Sequence, residues 1–124
     1  MKVVIVGCGK VGKTIAEELV KENHDIILID ENAELVEDVS NSLDVIGVIG
    51  NGASLNILKE AGIETADVLI AVTSADEINM LCCLFAKKAN KDLKTIARVR
   101  NPIYSSELSY IKDELGLTMT INPE

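Results

Sequence analysis

Gly7-Cys8-Gly9-Lys10-Val11-Gly12 is the stretch whose residue types and spacing point most directly to chemistry. Glycines spaced G-x-G-x-x-G suit a loop that must do three things in six residues. Gly7 permits a tight turn, Gly9 lets the backbone approach an anionic group, and Gly12 lets a helix start close against a strand. The unpaired N–H groups of a helix beginning there attract phosphate. Asp30 follows Gly12 by 18 residues, with Glu31 beside it. A carboxylate at that distance accepts hydrogen bonds from both hydroxyls of a ribose and repels a 2′-phosphate. Together these residues suit the holding of a dinucleotide, with NAD favoured over NADP. The loop lacks G-x-x-x-x-G-K-[ST], so it is not a P-loop. Lys10 either neutralises phosphate or stays solvated, and the sequence leaves both open.

These groups meet only if the elements between them alternate. Lys2 to Val6 is an apolar run that reads as a strand, and Val11 to Lys21 repeats apolar residues at helical spacing. Strands are also expected at Ile26–Ile29, Val45–Ile49, Asp67–Val72, Thr95–Val99 and Leu117–Ile121. Helices are expected at Glu34–Leu43, Leu55–Ala61, Asp76–Ala89 and Pro102–Leu115. Gly62 and Gly116 sit where C-terminal caps belong, and Pro102 where a first helical residue belongs. Strand and helix in alternation imply parallel βαβ units with right-handed crossovers. The expected fold is α/β: a Rossmann-type doubly wound, six-stranded parallel sheet, order 3-2-1-4-5-6, with helices on both faces. Near-continuous apolar strands fit a sheet covered on both sides. A chain of 124 residues fits one domain over residues 1–124. The helix Asp76–Ala89 is apolar nearly all round, so either a deep core or a second subunit must cover it.

In an open α/β sheet, ligands sit at the carboxyl ends of the strands, and further candidates lie there. Asn51, Gly52 and Ala53 follow the third strand, beside an adenine. Thr73 and Ser74 follow the fourth, within reach of the second phosphate or ribose, and also suit capping of the next helix. Arg98 lies in an apolar run near the end of the fifth strand and needs a partner, either a phosphate or an acid of another subunit. Arg100 is expected on the surface. Cys8 stands at a helix N-terminus, which lowers a thiol pKa and raises the idea of a redox sensor. The single His24, in the turn before the second strand, is expected at the surface. The sequence shows no Cys/His pair, metal-ligand cluster or nucleophile elbow, so an enzymatic reading lacks its acid, base and substrate pocket.

Bulk properties narrow the classes further. The net charge of -8 opposes binding to nucleic acid or to anionic lipid. No apolar run approaches the roughly 18 residues of a membrane span, and no signal-peptide pattern is visible, which points to the cytoplasm. The 3 cysteines include the adjacent pair Cys82 and Cys83 and no C-x-x-C spacing, so reduced, buried thiols are expected.

The glycine loop, Asp30, Gly50-Asn51-Gly52-Ala53, Leu58 to Gly62, Ala66-Asp67, Ala71-Val72-Thr73, Asp76-Glu77-Ile78-Asn79-Met80 and Thr95-Ile96-Ala97-Arg98-Val99 together resemble the regulators of potassium conductance. The likeness is to the nucleotide-binding (RCK or KTN) domain of TrkA-type potassium-uptake proteins, and it covers essentially the whole chain. It implies a non-enzymatic regulatory subunit on the inner face of the membrane, attached through a potassium transporter. Such domains form dimers and rings whose geometry shifts on binding NAD or NADH, or alternatively ATP or ADP. The family's contacts carry over onto residues 7–12, Asp30, Asn51 to Ala53, Thr73, Ser74 and Arg98. Asn51 departs from the aspartate common in the family. The chain ends at Asn122-Pro123-Glu124, where the family continues into a helix and a small C-terminal domain. A hydride-transfer module without its substrate domain, or a passive redox module using Cys8, are the other functional classes.

Overall fold

In the first strand, β1 (Lys2–Val6), alternate side chains enter two different cores. Val4 and Val6 point to one face of the sheet, Val3 and Ile5 to the other, and all four are buried. A strand apolar on both sides needs cover on both sides. The structure is a computed structural model that describes residues 1–121. It supplies that cover with α1 (Lys10–Lys21) and α2 (Ala33–Ser42) on one face. The other face carries α3 (Leu55–Glu60), α4 (Asp76–Ala89) and α5 (Pro102–Leu115).

The remaining strands are β2 (Asp25–Asp30), β3 (Ile46–Ile49), β4 (Val68–Ala71), β5 (Lys94–Arg98) and β6 (Met119–Ile121). All pair in parallel, in the order β3-β2-β1-β4-β5-β6. This is the doubly wound order expected from the alternation of elements. Its direction of winding reverses between β1 and β4, where Val6 pairs with Ile29 on one side and Ala71 on the other. The crossovers leave in opposite directions there, so a crevice opens above the strand ends.

Local signals explain the helix limits. Asn32, Ser54 and Asn101 each accept from a first-turn N–H and so cap α2, α3 and α5. Gly116 ends α5 in the left-handed conformation, and Gly62 does the same just past α3. A single 3₁₀ turn, Ile63–Thr65, then feeds β4; the sequence carries no clear signal for it.

One expectation changes, and one choice left open in the sequence is narrowed. Cover on both faces holds for the central strands, but the edges are open: Ile46, Ile49 and Met119 are each at least half exposed. An edge strand has one neighbour and fewer helices above it. Helix α4 also turns out to be only partly enclosed. Cys82, Cys83 and Ala86 pack on the sheet and α5 covers one flank, while Leu81 stays exposed.

Candidate functional site

The crevice above the switch point has a volume of about 450 Å³, within the range of small-molecule sites. Five strand ends contribute to it. Gly7, Gly9, Lys10 and Val11 line it from β1 and α1, Asp30 and Glu31 from β2, and Gly50, Asn51 and Gly52 from β3. Thr73 and Ser74 come from β4, and Arg98 from β5. Thus most of the residues singled out in the sequence converge, although they span 92 positions of chain.

The glycines divide the labour. Gly7 has φ +113°, and a side chain there would press on the Val72 carbonyl at 3.0 Å. Only glycine suits that conformation. A Cβ on Gly12 would overlap the Gly7 carbonyl oxygen, so Gly12 is what lets α1 start against the turn. Gly9 differs. Its φ of −71° is open to any residue, and a Cβ built on it meets nothing within 4 Å. The protein's own packing therefore has no need for glycine at position 9. The space above it faces the start of α1, which has no side-chain cap and no acid in its first turn. An anion such as a pyrophosphate fits that combination of open space and outward N–H groups.

Asp30 is half-buried beside the glycine loop. Its Oδ2 accepts from the Cys8 N–H at 2.8 Å and its Oδ1 from the Asn32 N–H at 2.9 Å. The carboxylate thus ties the glycine loop to the start of α2. Each oxygen keeps a lone pair for a hydroxyl of a ligand. Asn51 uses its Oδ1 to accept from the Ala53 N–H at 2.9 Å, shaping the turn after β3.

The far wall is built from side chains. The Thr73 hydroxyl accepts from the Ala75 N–H at 3.3 Å and donates to Asn79 Oδ1 at 2.7 Å, so it folds the turn into α4. Arg98 is half-buried and donates from Nη1 to the Val72 carbonyl at 3.2 Å. Its Nε is buried without a hydrogen-bond partner among the described residues. A guanidinium so placed is suited to an incoming phosphate. Arg100 is exposed, as expected, and donates to the Ser74 carbonyl at 2.8 Å.

Three predicted residues do not line the crevice. Ala53 and Gly12 lie behind it, the latter packed on the turn. Cys8 turns its side chain into the core on the α1 face and is 2% exposed. Burial first, and the nearby Asp30 charge second, push its thiol up to about 11. The sequence-based expectation of a lowered pKa is thus reversed, because desolvation outweighs the helix start. His24 is half-buried at the amino end of the sheet, away from the crevice, within 3.2 Å of the N-terminal amine.

Several contributors escaped the sequence. Leu35 and Ile78 add apolar surface to the rim. Asp76, 7% exposed, reaches back from α4 to accept from the Arg100 and Asn101 N–H groups at 2.7–3.0 Å. Asn79 is fully buried between the ends of β4 and β5. The signal for the last two was polar residues in an otherwise apolar helix. Among the described residues, no group of three or more His, Cys, Asp or Glu is placed to hold a metal, and no helix is long and apolar enough to cross a membrane.

The sequence matches the TrkA-N domain family over residues 3–123. A Trk system potassium uptake protein TrkA from Halomonas elongata is 38% identical over 125 residues, which cover 100% of this chain and 27% of that protein. A TrkA homolog from Archaeoglobus fulgidus is 41% identical over 124 residues, covering 100% of this chain and 28% of the relative. The chain thus spans about a quarter of the length of these curated relatives. Among solved structures, the TrkA-N domain of inner membrane protein ybaL from Escherichia coli superposes with a TM-score of 0.86 at 25% identity, covering 98% of this chain and 87% of that one. The GsuK channel bound to NAD gives 0.81 at 18% identity, over 97% of this chain and 21% of the channel chain. GsuK bound to ADP gives 0.80 at 18% identity, over 98% and 31%. With the family matched from the first strand to the last and its relatives near 40% identity, this chain belongs to the TrkA-N domain family.

Proposed function

We propose that this domain binds an adenine nucleotide, NAD or NADH before others, and that occupancy regulates potassium uptake through a membrane transporter. The observation that carries the reading is the open space at Gly9, where the protein itself needs no glycine, set against the uncapped start of α1. The backbone N–H groups of α1 take the pyrophosphate, with Lys10 at the rim. Asp30 accepts from the adenosine ribose hydroxyls and opposes a 2′-phosphate, which favours NAD(H) over NADP. Asn51 and Gly52 stand at the adenine end, and Thr73, Ser74 and Arg98 at the second phosphate. ADP and ATP are the other ligands this set accommodates. GsuK, of the same fold, has been solved with NAD and with ADP.

The ionisable lining residues Lys10, Asp30, Glu31 and Arg98 suit binding and orientation, which supports a regulator over a catalyst. The names of the relatives support potassium uptake as the regulated process. A second copy of the chain is the partner we assign to the apolar groove between α4 and α5, walled by Met80, Leu81, Leu108 and Ile111. In such an assembly, a nucleotide acts through its different affinity for two arrangements of subunits. The domain would then stand on the inner face of the membrane, held there by its transporter.

The test is potassium uptake in cells whose own regulatory subunit is replaced by the full-length protein carrying Gly9→Val. A Cβ at that position meets nothing of the protein within 4 Å, so the side chain enters the phosphate space. Uptake should lose its response to nucleotide while protein abundance stays normal. Unchanged regulation in a variant that no longer binds nucleotide would contradict the reading.

A further inference from the structure

Asn79 is fully buried, and every hydrogen bond its amide makes goes to one of two residues that line the crevice. Its Oδ1 accepts from the Thr73 N–H at 2.8 Å and from the Thr73 hydroxyl at 2.7 Å. Its Nδ2 donates to the Thr73 carbonyl at 3.1 Å and to the Arg98 carbonyl at 2.8 Å. The donors and the acceptor of the amide are thus fully used. A buried amide is costly without such partners, so the side chain is held in one orientation.

Arg98 is consequently fixed at two points. Asn79 holds its backbone, and the Val72 carbonyl holds its Nη1 at 3.2 Å. Both anchors lead to the same two residues, Val72 and Thr73, at the end of β4. Asn79 thus joins the Arg98 backbone to the Thr73 turn, while the guanidinium rests on the Val72 carbonyl beside that turn. The adenosine end is built differently: Asp30 bonds Cys8 and Asn32, Asn51 bonds Ala53, and neither touches Asn79.

We propose that Asn79 is a positioning residue for the second phosphate of the nucleotide: without touching ligand, it aims Arg98 and the Thr73–Ser74 turn at that group. The inference rests on the nucleotide reading above. It predicts that Asn79 governs how much a second phosphate adds to affinity and leaves the adenosine end alone.

The experiment titrates the full-length protein with AMP and with ADP by calorimetry, in the wild type, Asn79→Ala, Arg98→Ala and the double variant. Wild type should prefer ADP. Asn79→Ala should bind AMP within about twofold of wild type and ADP about tenfold more weakly, the size expected for one charge-assisted contact. The double variant should lose no more than Arg98→Ala alone, because Asn79 acts through that arginine. Parallel loss of AMP and ADP, a retained ADP preference, or additive losses would each overturn the proposal and leave Asn79 a purely structural residue. If Asn79→Ala does not fold, Asn79→Ser, which puts a polar hydroxyl one bond short of the amide, is judged by the same ratio. Failure of the wild type to bind either nucleotide would overturn the nucleotide reading itself, and this inference with it.

Discussion

The two walls of the crevice are made of different material. The β1–α1–β2 wall is backbone: a glycine turn, an uncapped helix start, and one carboxylate that grips two N–H groups. The β4–α4–β5 wall is a set of buried polar side chains, with Asn79 binding Thr73 and Arg98, and Asp76 binding the N–H groups of Arg100 and Asn101. A backbone wall is fixed by what is absent at each position, so its faults are steric. A side-chain wall is fixed by satisfied donors and acceptors, so its faults are unpaired polar groups. The first suits a contact common to every nucleotide, a phosphate on a helix start. The second is suited to discriminating among the groups a nucleotide carries beyond that phosphate.

The largest expected effect breaks the backbone wall. Gly12→Ala drives a methyl into the Gly7 carbonyl and should lower stability by about 3 kcal/mol, read as a shift in urea midpoint. Asp76→Ala comes next. It strands the N–H groups of Arg100 and Asn101 and should cost about 2 kcal/mol, with loss of the α5 start seen by amide exchange. Gly9→Ala sharpens the contrast with Gly12 three residues on. Stability should stay within about 0.5 kcal/mol of wild type, since the added methyl meets nothing, while nucleotide binding falls.

A different effect, outside that ranking, concerns alkali. Burial pushes Cys8 up to about 11 and both Cys82 and Cys83 up to about 12, from an ordinary 9.0. A raised folded-state pKa contributes stability that is present below pH 9 and lost as pH climbs through 11 to 12. Urea midpoints should therefore fall across that window, and less steeply in Cys8→Ala. Rapid alkylation of Cys8 in the native protein at pH 7 would contradict this and revive its reading as a redox sensor.

The same contrast governs what is legible in the sequence. The glycine loop and Asp30 are legible because the requirement is written within one βαβ unit. Helix α5 has the limits its sequence predicts, Pro102 to Leu115, because Pro102 and Gly116 are local signals. By local pattern Asp76 and Asn79 read as the start of a helix and, by resemblance, as part of a family run, with no role assigned to either. Asn79 turns back to Thr73, six residues earlier, and on to Arg98, 19 residues later, while the partners of Asp76 lie 24 and 25 residues further along. Leu35 fits the apolar period of its helix, yet it is 37% exposed on the crevice rim while its neighbour Val36 is buried. Helical period alone does not separate adjacent apolar residues at the border of a face. Cys8 is misleading for a similar reason: its position beside a helix start is visible in the sequence, but the direction of its side chain is not.

The central claim, that this crevice holds NAD(H) with Asp30 on the ribose, is tested most directly by calorimetric titration of the purified protein with NAD, NADH, NADP, ADP and ATP, beside Asp30→Ala. The account predicts NAD or NADH binding on the order of micromolar, absent for NADP and lost in the variant. Equal binding of NADP, or binding that survives Asp30→Ala unchanged, would contradict it.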